Sequence, residues 1–332
     1  MTKREMFWKR AFPGVAAAAV VAVIFGAPMP ATAQAFPAKP VKFVVPYSPG
    51  GLPDTVARVL SQRLQEALGQ PVVIENKPGA NGAVAAAALT QSPADGYTLL
   101  VTDGPMLALT PLMSAKPPYD PVKDFAPVSL VGTAPLFLAV NPRVKANTLD
   151  ELIALAKAKP GTLNYGSSGI GSIHHLTAEA MKGGLGIFVT HIPFRGSANS
   201  VPAMIGGQVD MAFASPPSLM GFVKSGQAKL LAINSEKRSP LAPNVPTLAE
   251  KIPGFDFAFN VAVLAKAGTP ADVIAKLSSE IAKVVKRPDV FEQLQAAGVE
   301  PLGGTAEQLA AALRKESVRI AAAAKRANLK AE

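Results

Sequence analysis

Short apolar segments and amphipathic segments alternate along most of the chain. Val41–Val45 and Val72–Ile74 are rich in branched apolar residues, which is typical of buried strands. Between them, apolar residues recur with the spacing of one helix face, at Val56, Val59, Leu60, Leu64 and Leu68. Gly69 and Pro71 then predict the end of that helix. A strand, a helix and a second strand in this order form the basic unit of a parallel sheet covered by helices.

The same alternation continues through the rest of the chain. Thr148 followed by Glu151 is a capping box at the start of a helix. Further strands are predicted at 97–102, 163–165, 187–192, 209–213 and 230–233. Two more helices are predicted to begin near Pro270 and Thr305. The pattern therefore predicts an α/β protein of two doubly wound units, each with a mostly parallel sheet flanked by helices.

Residues 1–35 have the layout of a secretory signal peptide. The first ten residues are basic, residues 11–27 are apolar, and Ala31-Thr32-Ala33 supplies the small residues of a cleavage site. Prolines and glycines interrupt the apolar stretch, which falls short of the roughly 20 residues that a membrane-spanning helix needs. We therefore expect cleavage before Gln34 or Phe36 and export to a bacterial periplasm.

Composition narrows the possible chemistry. The 332 residues include no cysteine and three histidines, so disulfides, thiolate metal sites and cysteine nucleophiles are excluded, and neither a metal nor a cofactor is predicted. The net charge of +10 is spread along the chain, and only 6% of the residues are aromatic. Nucleic-acid binding needs clustered basic residues and is not predicted. The mild positive charge favours an anionic ligand.

Two turns combine glycine and serine between a predicted strand and a predicted helix. They are Pro46–Asp54 and Tyr165–Ser172. Ligands bind at the carboxyl edge of an open parallel sheet, where such turns lie, and the N-terminus of the following helix favours an anion. The two turns therefore predict a shared cleft with one turn from each unit. The alternative is that both are tight turns whose serines cap helices.

Serine close to histidine also suggests a hydrolase. Ser168 or Ser172 would be the nucleophile, with His174 or His175 nearby. The Gly-x-Ser-x-Gly elbow is absent, because Ile170 stands where the second glycine is needed. Without a placed base and an orienting carboxylate, serine is a poor nucleophile. We therefore predict no enzyme, with a periplasmic serine hydrolase as the alternative.

Several short motifs carry a resemblance to a known family. They are the proline–glycine turn ending at Asp54, Glu75–Ala80, Asp95–Leu100, Tyr119–Phe125, the serine–glycine turn with His175-Leu176, His191–Gly196 and Gly206–Asp210. In order and spacing they resemble the Bug family of periplasmic solute-binding proteins, the extracytoplasmic receptors of tripartite tricarboxylate transporters. The resemblance covers about residues 36–327.

This resemblance implies a two-lobed periplasmic binding protein of type II, a Venus flytrap. The chain would cross between the lobes near Phe137–Val140 and Asn260–Leu264. The signal peptide would then be 1–35, lobe one 36–138 plus 263–332, and lobe two 139–262. The implied function is to capture a small carboxylate between the lobes and deliver it to membrane permease subunits. The protein would act as a monomer, with no nucleic acid and no cofactor.

The resemblance also implies a set of ligand-binding residues. By position they are Tyr47, Gly50, Gly51 and Asp54 in lobe one and Ser167, Ser168, Gly169 and Ser172 in lobe two. The predicted site also includes residues of the same turns and of strand ends at this edge: Ser48, Thr102, Asp103, His175, Ala214 and Ser215. The sequence departs from the family at Phe194-Arg195, where tyrosine and lysine are usual, and at Asn260–Val263. It also has Asp103 where a small neutral residue is commoner. Asp103 either caps a turn or selects the ligand by its charge.

Overall fold

A computed structural model describes residues 36–327 and residue 329, so the predicted signal peptide lies outside the described residues. The strands are β1 Val41–Val45, β2 Val72–Asn76, β3 Thr98–Asp103, β4 Phe125–Ala134, β5 Phe137–Val140, β6 Asn164–Ser167, β7 Thr190–Pro193, β8 Met211–Ala214, β9 Lys229–Ile233, β10 Phe259–Lys266 and β11 Glu300–Gly304. The helices are α1 Leu52–Leu68, α2 Ala83–Thr90, α3 Gly104–Leu112, α4 Leu149–Ala158, α5 Ile173–Leu185, α6 Ser197–Ile205, α7 Pro216–Lys224, α8 Ala271–Val285, α9 Pro288–Ala296 and α10 Ala306–Arg326. Short 3₁₀ turns lie at Ala80–Gly82 and Leu248–Glu250. No helix in this part of the chain is long and apolar enough to cross a membrane.

The described strands form two sheets. The larger has the order β11-β4-β10-β3-β1-β2, and the smaller has the order β7-β6-β8-β5-β9. The α/β fold class is confirmed, but the sheets are mixed rather than mostly parallel. Only β2-β1-β3 and β7-β6-β8 are parallel, whereas β10 runs antiparallel to β3 and β4, and β5 runs antiparallel to β8 and β9. The antiparallel strands β5 and β10 are the first strands after the chain enters from the other sheet.

Both faces of the larger sheet are buried, which explains the dense apolar pattern of its strands. Phe43 of β1 and Leu99 of β3 belong to one apolar cluster, which includes residues of α1 and α8. Their neighbours Val44 and Leu100 point to the opposite face and join a second cluster with residues of α2 and α3. Helices on both sides of a sheet leave little room for polar positions, so its strands lack a strict polar alternation.

Two chain segments connect the sheets. Pro135 and Leu136 join β4 to β5, and residues 234–258 join β9 to β10. The segments near which the crossings are predicted, Phe137–Val140 and Asn260–Leu264, are β5 and part of β10, the strands that directly follow these connections. A division that follows the sheets therefore places residues 137–138 with the smaller sheet and residues 259–262 with the larger one.

Asn234 ties the two connecting segments together. Its side chain accepts a hydrogen bond from the Leu136 N–H at 2.6 Å and donates one to the Phe257 carbonyl at 3.1 Å. Its backbone N–H donates to the Leu136 carbonyl, and its own carbonyl accepts from the Phe257 N–H. Asn234 is fully buried, so these bonds satisfy polar groups that water cannot reach.

Candidate functional site

The ends of strands from both sheets meet at a small central cavity. Tyr47 follows β1, Asp103 ends β3, Ser168 follows β6, and Ser215 follows β8; all four line the cavity. Leu136 and Phe259, at the connections between the sheets, complete one side. The cavity volume is about 20 Å³, which is room for roughly one water molecule. The two sheets therefore approach each other closely at these strand ends, and polar and apolar side chains line the narrow space between them.

Five helices begin around this cavity. They are α1, α3, α5, α6 and α7, whose first residues or N-caps line it. A helix N-terminus carries a partial positive charge and N–H groups without intrahelical partners. Such a concentration of N-termini favours an anion in the cavity more strongly than a single one could.

At only some of these helix N-termini does a side-chain oxygen accept a hydrogen bond from a free N–H group. The Asp103 carboxylate accepts from the Met106 N–H of α3 at 2.8 Å, and the Ser172 hydroxyl accepts from the His175 N–H of α5 at 3.2 Å. In the described part of the chain, α1 and α6 have glycine N-caps, Gly51 and Gly196, and no side-chain cap. Helix α7 has no side-chain cap either, but its first two residues are prolines, which have no N–H to donate. The N–H groups of α1 and α6 are therefore the available donors.

The starts of α1 and α6 face each other across the cavity. A Cβ atom placed on Gly51 would lie 3.9 Å from the Ser197 hydroxyl oxygen. Gly196 has φ = 107°, a conformation that side chains rarely adopt, and its N–H donates to the Ser168 carbonyl at 3.2 Å. Two uncapped helix N-termini, one from each sheet, can hold the two oxygens of a carboxylate between them.

Asp54 builds the first turn rather than lining the cavity. Its carboxylate accepts from the Gly50 N–H at 3.0 Å, from Arg58 Nε at 2.9 Å and from Asn76 Nδ2 at 2.9 Å. Burial by itself raises the pKa of Asp54, but these hydrogen bonds outweigh it and the net pKa is lowered. Gly50 and Asp54 therefore position the residues that do reach the cavity.

Asp103 has two neighbours of different kinds. It caps α3, as described above, and it shares a hydrogen bond with the Tyr47 hydroxyl. Burial raises the pKa of Asp103, and the hydrogen bonds from Tyr47 and Met106 act against that shift. Burial also raises the pKa of the Tyr47 hydroxyl, and Asp103 raises it further. Asp103 is thus both a capping residue and a wall of the cavity.

A second buried acid, Glu316 of α10, lies close to Asp103. Asn260 donates to it from its backbone N–H at 3.1 Å and from Nδ2 at 2.8 Å. A Cβ atom on Gly104 would come within 1.8 Å of the Glu316 carboxylate, so the start of α3 needs glycine. Burial raises the pKa of Glu316 to about 7, with the charge of Asp103 adding to the shift and the bonds from Asn260 opposing it.

Two serine–histidine pairs follow β6, and they point in different directions. Ser168 Oγ lies 2.6 Å from His174 Nδ1, and both residues line the central cavity. Ser167 Oγ lies 2.6 Å from His191 Nε2, and His191 stacks on His175 with ring centroids 4.1 Å apart. The second pair and His175 line neither the central cavity nor the adjoining cavity described next. His174 therefore occupies the place in the cavity that the sequence had suggested for His175.

A second cavity of about 200 Å³ adjoins the first. It shares Tyr47, Ser168 and Gly196 with the central cavity and continues past Asn81 and Arg195. Asn81 Nδ2 donates to the Gly171 carbonyl at 2.9 Å, a hydrogen bond that links the two halves of the molecule. Arg195 is exposed at the second cavity, and no ion pair is found for it among the described residues.

Half of the sequence-predicted residues meet at these cavities. Those that line one of them are Tyr47, Ser48, Gly51, Asp103, Ser168, Gly169 and Ser215. Those that line neither are Gly50, Asp54, Thr102, Ser167, Ser172, His175 and Ala214. Thr102, Ser167 and Ala214 are fully buried within their strands, and Ser172 caps α5.

The main residues that sequence reasoning missed are Gly196, Ser197 and Ala198 at the start of α6. They follow β7, so their signal was the same as that of the other turns: glycine and serine directly after a strand of the parallel set.

Two sheets joined by two connecting segments, with a cavity at the strand ends between them, form the fold of periplasmic binding proteins. Solved structures similar to the chain include a periplasmic transporter and the periplasmic binding protein BugD. A model of the tripartite tricarboxylate transporter family receptors, TctC, matches residues 56–329. The chain belongs to this family of solute-binding receptors, which confirms the predicted family.

Individual relatives agree with this assignment. The chain is 38% identical to BugT of Bordetella pertussis over 285 residues, which cover 85% of this chain and 87% of BugT. Its fold matches R. palustris Rpa4515, solved with adipate, with a TM-score of 0.86 and 32% identity over 90% of this chain and 100% of that one. It also matches MatC from Rhodopseudomonas palustris with bound malate, with a TM-score of 0.81 and 30% identity. This match covers 87% of this chain and 99% of MatC.

Proposed function

We propose that this protein is an extracytoplasmic receptor that captures a small carboxylate-bearing ligand and delivers it to membrane permease subunits. The observation that carries the proposal is the pair of uncapped helix N-termini, α1 and α6, which face each other from opposite sheets. Relatives at 32% and 30% identity were solved with adipate and malate, both of which are carboxylates. The permease partner, the monomeric state and export through residues 1–35 are part of the same proposal.

The ligand's carboxylate would occupy the central cavity. The N–H groups at the starts of α1 and α6 would donate to it, with Ser168 and Ser197 adding hydroxyl donors. The rest of the ligand would extend into the second cavity toward Arg195, and the volume of about 200 Å³ there suits a small molecule. The remaining sequence-predicted residues would support these contacts from the turns.

The two lobes would follow the two sheets, with the connecting segments as hinges. The central cavity in this closed form has a volume of only about 20 Å³, so a carboxylate needs the lobes to separate before it can enter. A ligand that contacts both lobes then favours the closed form through its differential affinity.

A thermal-shift panel of mono-, di- and tricarboxylates tests the proposal, because a ligand that binds only the folded protein raises its melting temperature. Calorimetry on the best ligand then compares Ser168→Ala and Ser197→Ala with the wild type. Each loss of a hydrogen bond to a charged group should cost about 1–3 kcal/mol. Ser225→Ala is the control, because Ser225 is exposed at the end of α7 and lines neither cavity. Undiminished binding by the Ser168/Ser197 double variant would remove the proposed site.

One observation favours a second candidate, a serine hydrolase: the 2.6 Å contact between Ser168 Oγ and His174 Nδ1. Among the described residues, however, His174 Nε2 has no hydrogen-bond partner, so no carboxylate orients the ring as in a catalytic triad. Mass spectrometry of the ligand, and of simple esters, after incubation separates the two functions. A receptor returns the compounds unchanged, whereas a hydrolase releases product that Ser168→Ala abolishes.

A further inference from the structure

His174 presents an unexplained polar atom at the site. Its Nε2 is buried without a hydrogen-bond partner among the described residues, while its ring lines the central cavity. The other buried side-chain atoms without a partner belong to Glu75, Thr177, Ser200 and Thr247, and none of these residues lines either site cavity. A buried polar atom without a hydrogen-bond partner lowers the stability of the fold, so the unpaired Nε2 of His174 at this cavity suggests a functional role for the residue.

The Ser168–His174 pair has two possible arrangements of its protons. Burial lowers the pKa of His174 to about 4, so the ring is neutral near pH 7 and carries one N–H. With the proton on Nε2, the Ser168 hydroxyl must donate to Nδ1, and a buried N–H is left without an acceptor. With the proton on Nδ1, His174 donates to Ser168 Oγ, and the serine proton is free to point elsewhere.

The second arrangement fits the cavity better. An orphaned buried N–H is rarer in proteins than an under-satisfied acceptor, so the proton belongs on Nδ1 rather than on Nε2. The helix N-termini around the cavity favour an anion, and an anion needs donors rather than acceptors. A Ser168 hydroxyl that already accepts from His174 can offer its own proton to that anion.

We propose that His174 is a positioning residue that donates its Nδ1 proton to Ser168 and thereby turns the Ser168 hydroxyl into a donor for a ligand carboxylate. This inference rests on the proposed function and adds a selection rule to it. The pair favours a carboxylate over an ammonium group, because it presents a hydroxyl donor and an ammonium has no acceptor.

The first test needs no ligand and no substitution. Nitrogen-15 NMR of the histidine rings in the wild-type protein reports which ring nitrogen carries the proton. We expect His174 to carry it on Nδ1. A proton on Nε2, both without ligand and with saturating carboxylate, would overturn the inference and leave the receptor function standing. If no carboxylate binds, the receptor function fails while the NMR result still decides the proton's position.

The second test is a double-variant cycle on carboxylate affinity. His174→Ala should weaken binding about tenfold in the wild type and change it little in Ser168→Ala, because its effect passes through that hydroxyl. His174→Asn keeps a side-chain N–H near the Nδ1 position and should stay within about threefold of the wild type. Equal losses from His174→Ala in both backgrounds would contradict the role.

His191→Ala is the matched control. His191 makes the same 2.6 Å contact with a serine, Ser167, but lines neither cavity. Its substitution should leave carboxylate affinity unchanged, while thermal melting confirms that each variant is folded. Weakening by His191→Ala as large as that by His174→Ala would show a general effect of the β6 turn and overturn the assignment.

Discussion

Two buried acids lie beside a cavity that otherwise favours anions. Asp103 lines the cavity and caps α3, while Glu316 stands behind it and binds Asn260 of β10. Each is nearly inaccessible, and burial raises the pKa of both carboxyl groups. Their protonation therefore affects both the stability of the fold and the charge that a ligand meets.

Glu316→Gln tests the first effect. The pKa of Glu316 is raised from 4.5 to about 7, so the folded state prefers the protonated form. Its contribution to stability is full below about pH 4.5 and is lost as the pH rises to about 7. Glutamine mimics the protonated acid. As the pH rises from about 4 to about 8, the free energy of unfolding of the variant, measured with urea, should increase relative to that of the wild type by on the order of 3 kcal/mol. A difference that does not vary with pH would place the titration elsewhere.

Asp103→Asn tests the second effect. Asparagine can still accept from the Met106 N–H, and its amide can still hydrogen-bond the Tyr47 hydroxyl, so the cap on α3 remains and the melting temperature should change little. The lost negative charge should raise affinity for ligands with a second carboxylate several-fold and lower it for amino-bearing ligands. Calorimetry with matched mono- and dicarboxylates measures the change. Identical preferences in both proteins would leave capping as the only role of Asp103.

At the scale of elements, the nature of each N-cap divides the helices around the cavity. Asp103 and Ser172 satisfy the starts of α3 and α5, whereas Gly51 and Gly196 leave the starts of α1 and α6 open. Glycine is a weak cap, so α1 and α6 give up a little stability and gain an anion site.

Gly51→Asp should stabilise the start of α1 and remove the anion site there. Gly51 has φ = −79° and ψ = 169°, an extended conformation that aspartate adopts readily, and a Cβ atom there meets neighbours only at ordinary distances. The new carboxylate would cap α1 from within and occupy the place of the ligand's carboxylate. We expect unchanged or slightly higher thermal stability together with loss of ligand binding.

Gly51→Ala is the control for this change, because it adds the Cβ atom without an acceptor. Thermal melting and calorimetry on both variants check the outcome. If alanine abolishes binding as completely as aspartate does, steric contact rather than competition for the N–H groups explains the loss.

At the scale of the whole molecule, two hydrogen bonds of the described residues join the two halves across the cleft. Asn81 donates to the Gly171 carbonyl, and the Ser218 hydroxyl lies 3.5 Å from the Gly50 carbonyl. Behind the cleft, Asn234 binds both connecting segments and keeps them in register. This arrangement, firm at the connections and weakly bonded at the opening, suits rotation about the connections.

We therefore expect the protein to open and close in solution. Small-angle scattering should give a smaller radius of gyration with the identified ligand than without it, because the ligand bridges both lobes. The ligand-free profile should fit a mixture of this closed structure and a more open one. A profile that matches the closed structure equally well in both conditions would argue against opening as the route to the site.

Local features of the sequence were enough to predict most elements, and half of the predicted site residues line the two cavities. The strand Val41–Val45, the helix after it and the cap at Thr148 depend on neighbouring residues, so the pattern alone located them. The same holds for Tyr47, Gly51, Asp103 and Ser168, because a turn that follows a parallel strand always lies at the carboxyl edge of its sheet.

The tertiary structure decided what depends on distant partners. Strands β5 and β10 run antiparallel because the chain enters each sheet from the other one, a direction that no local pattern contains. His174 rather than His175 reaches the cavity because adjacent helix residues point about 100° apart and packing selects the rotation. Glu316 joins the site from a helix more than 200 residues after Asp103 in the chain. Short-range spacing determines where a turn or helix forms, and only the packing of the finished fold determines which side chains meet there.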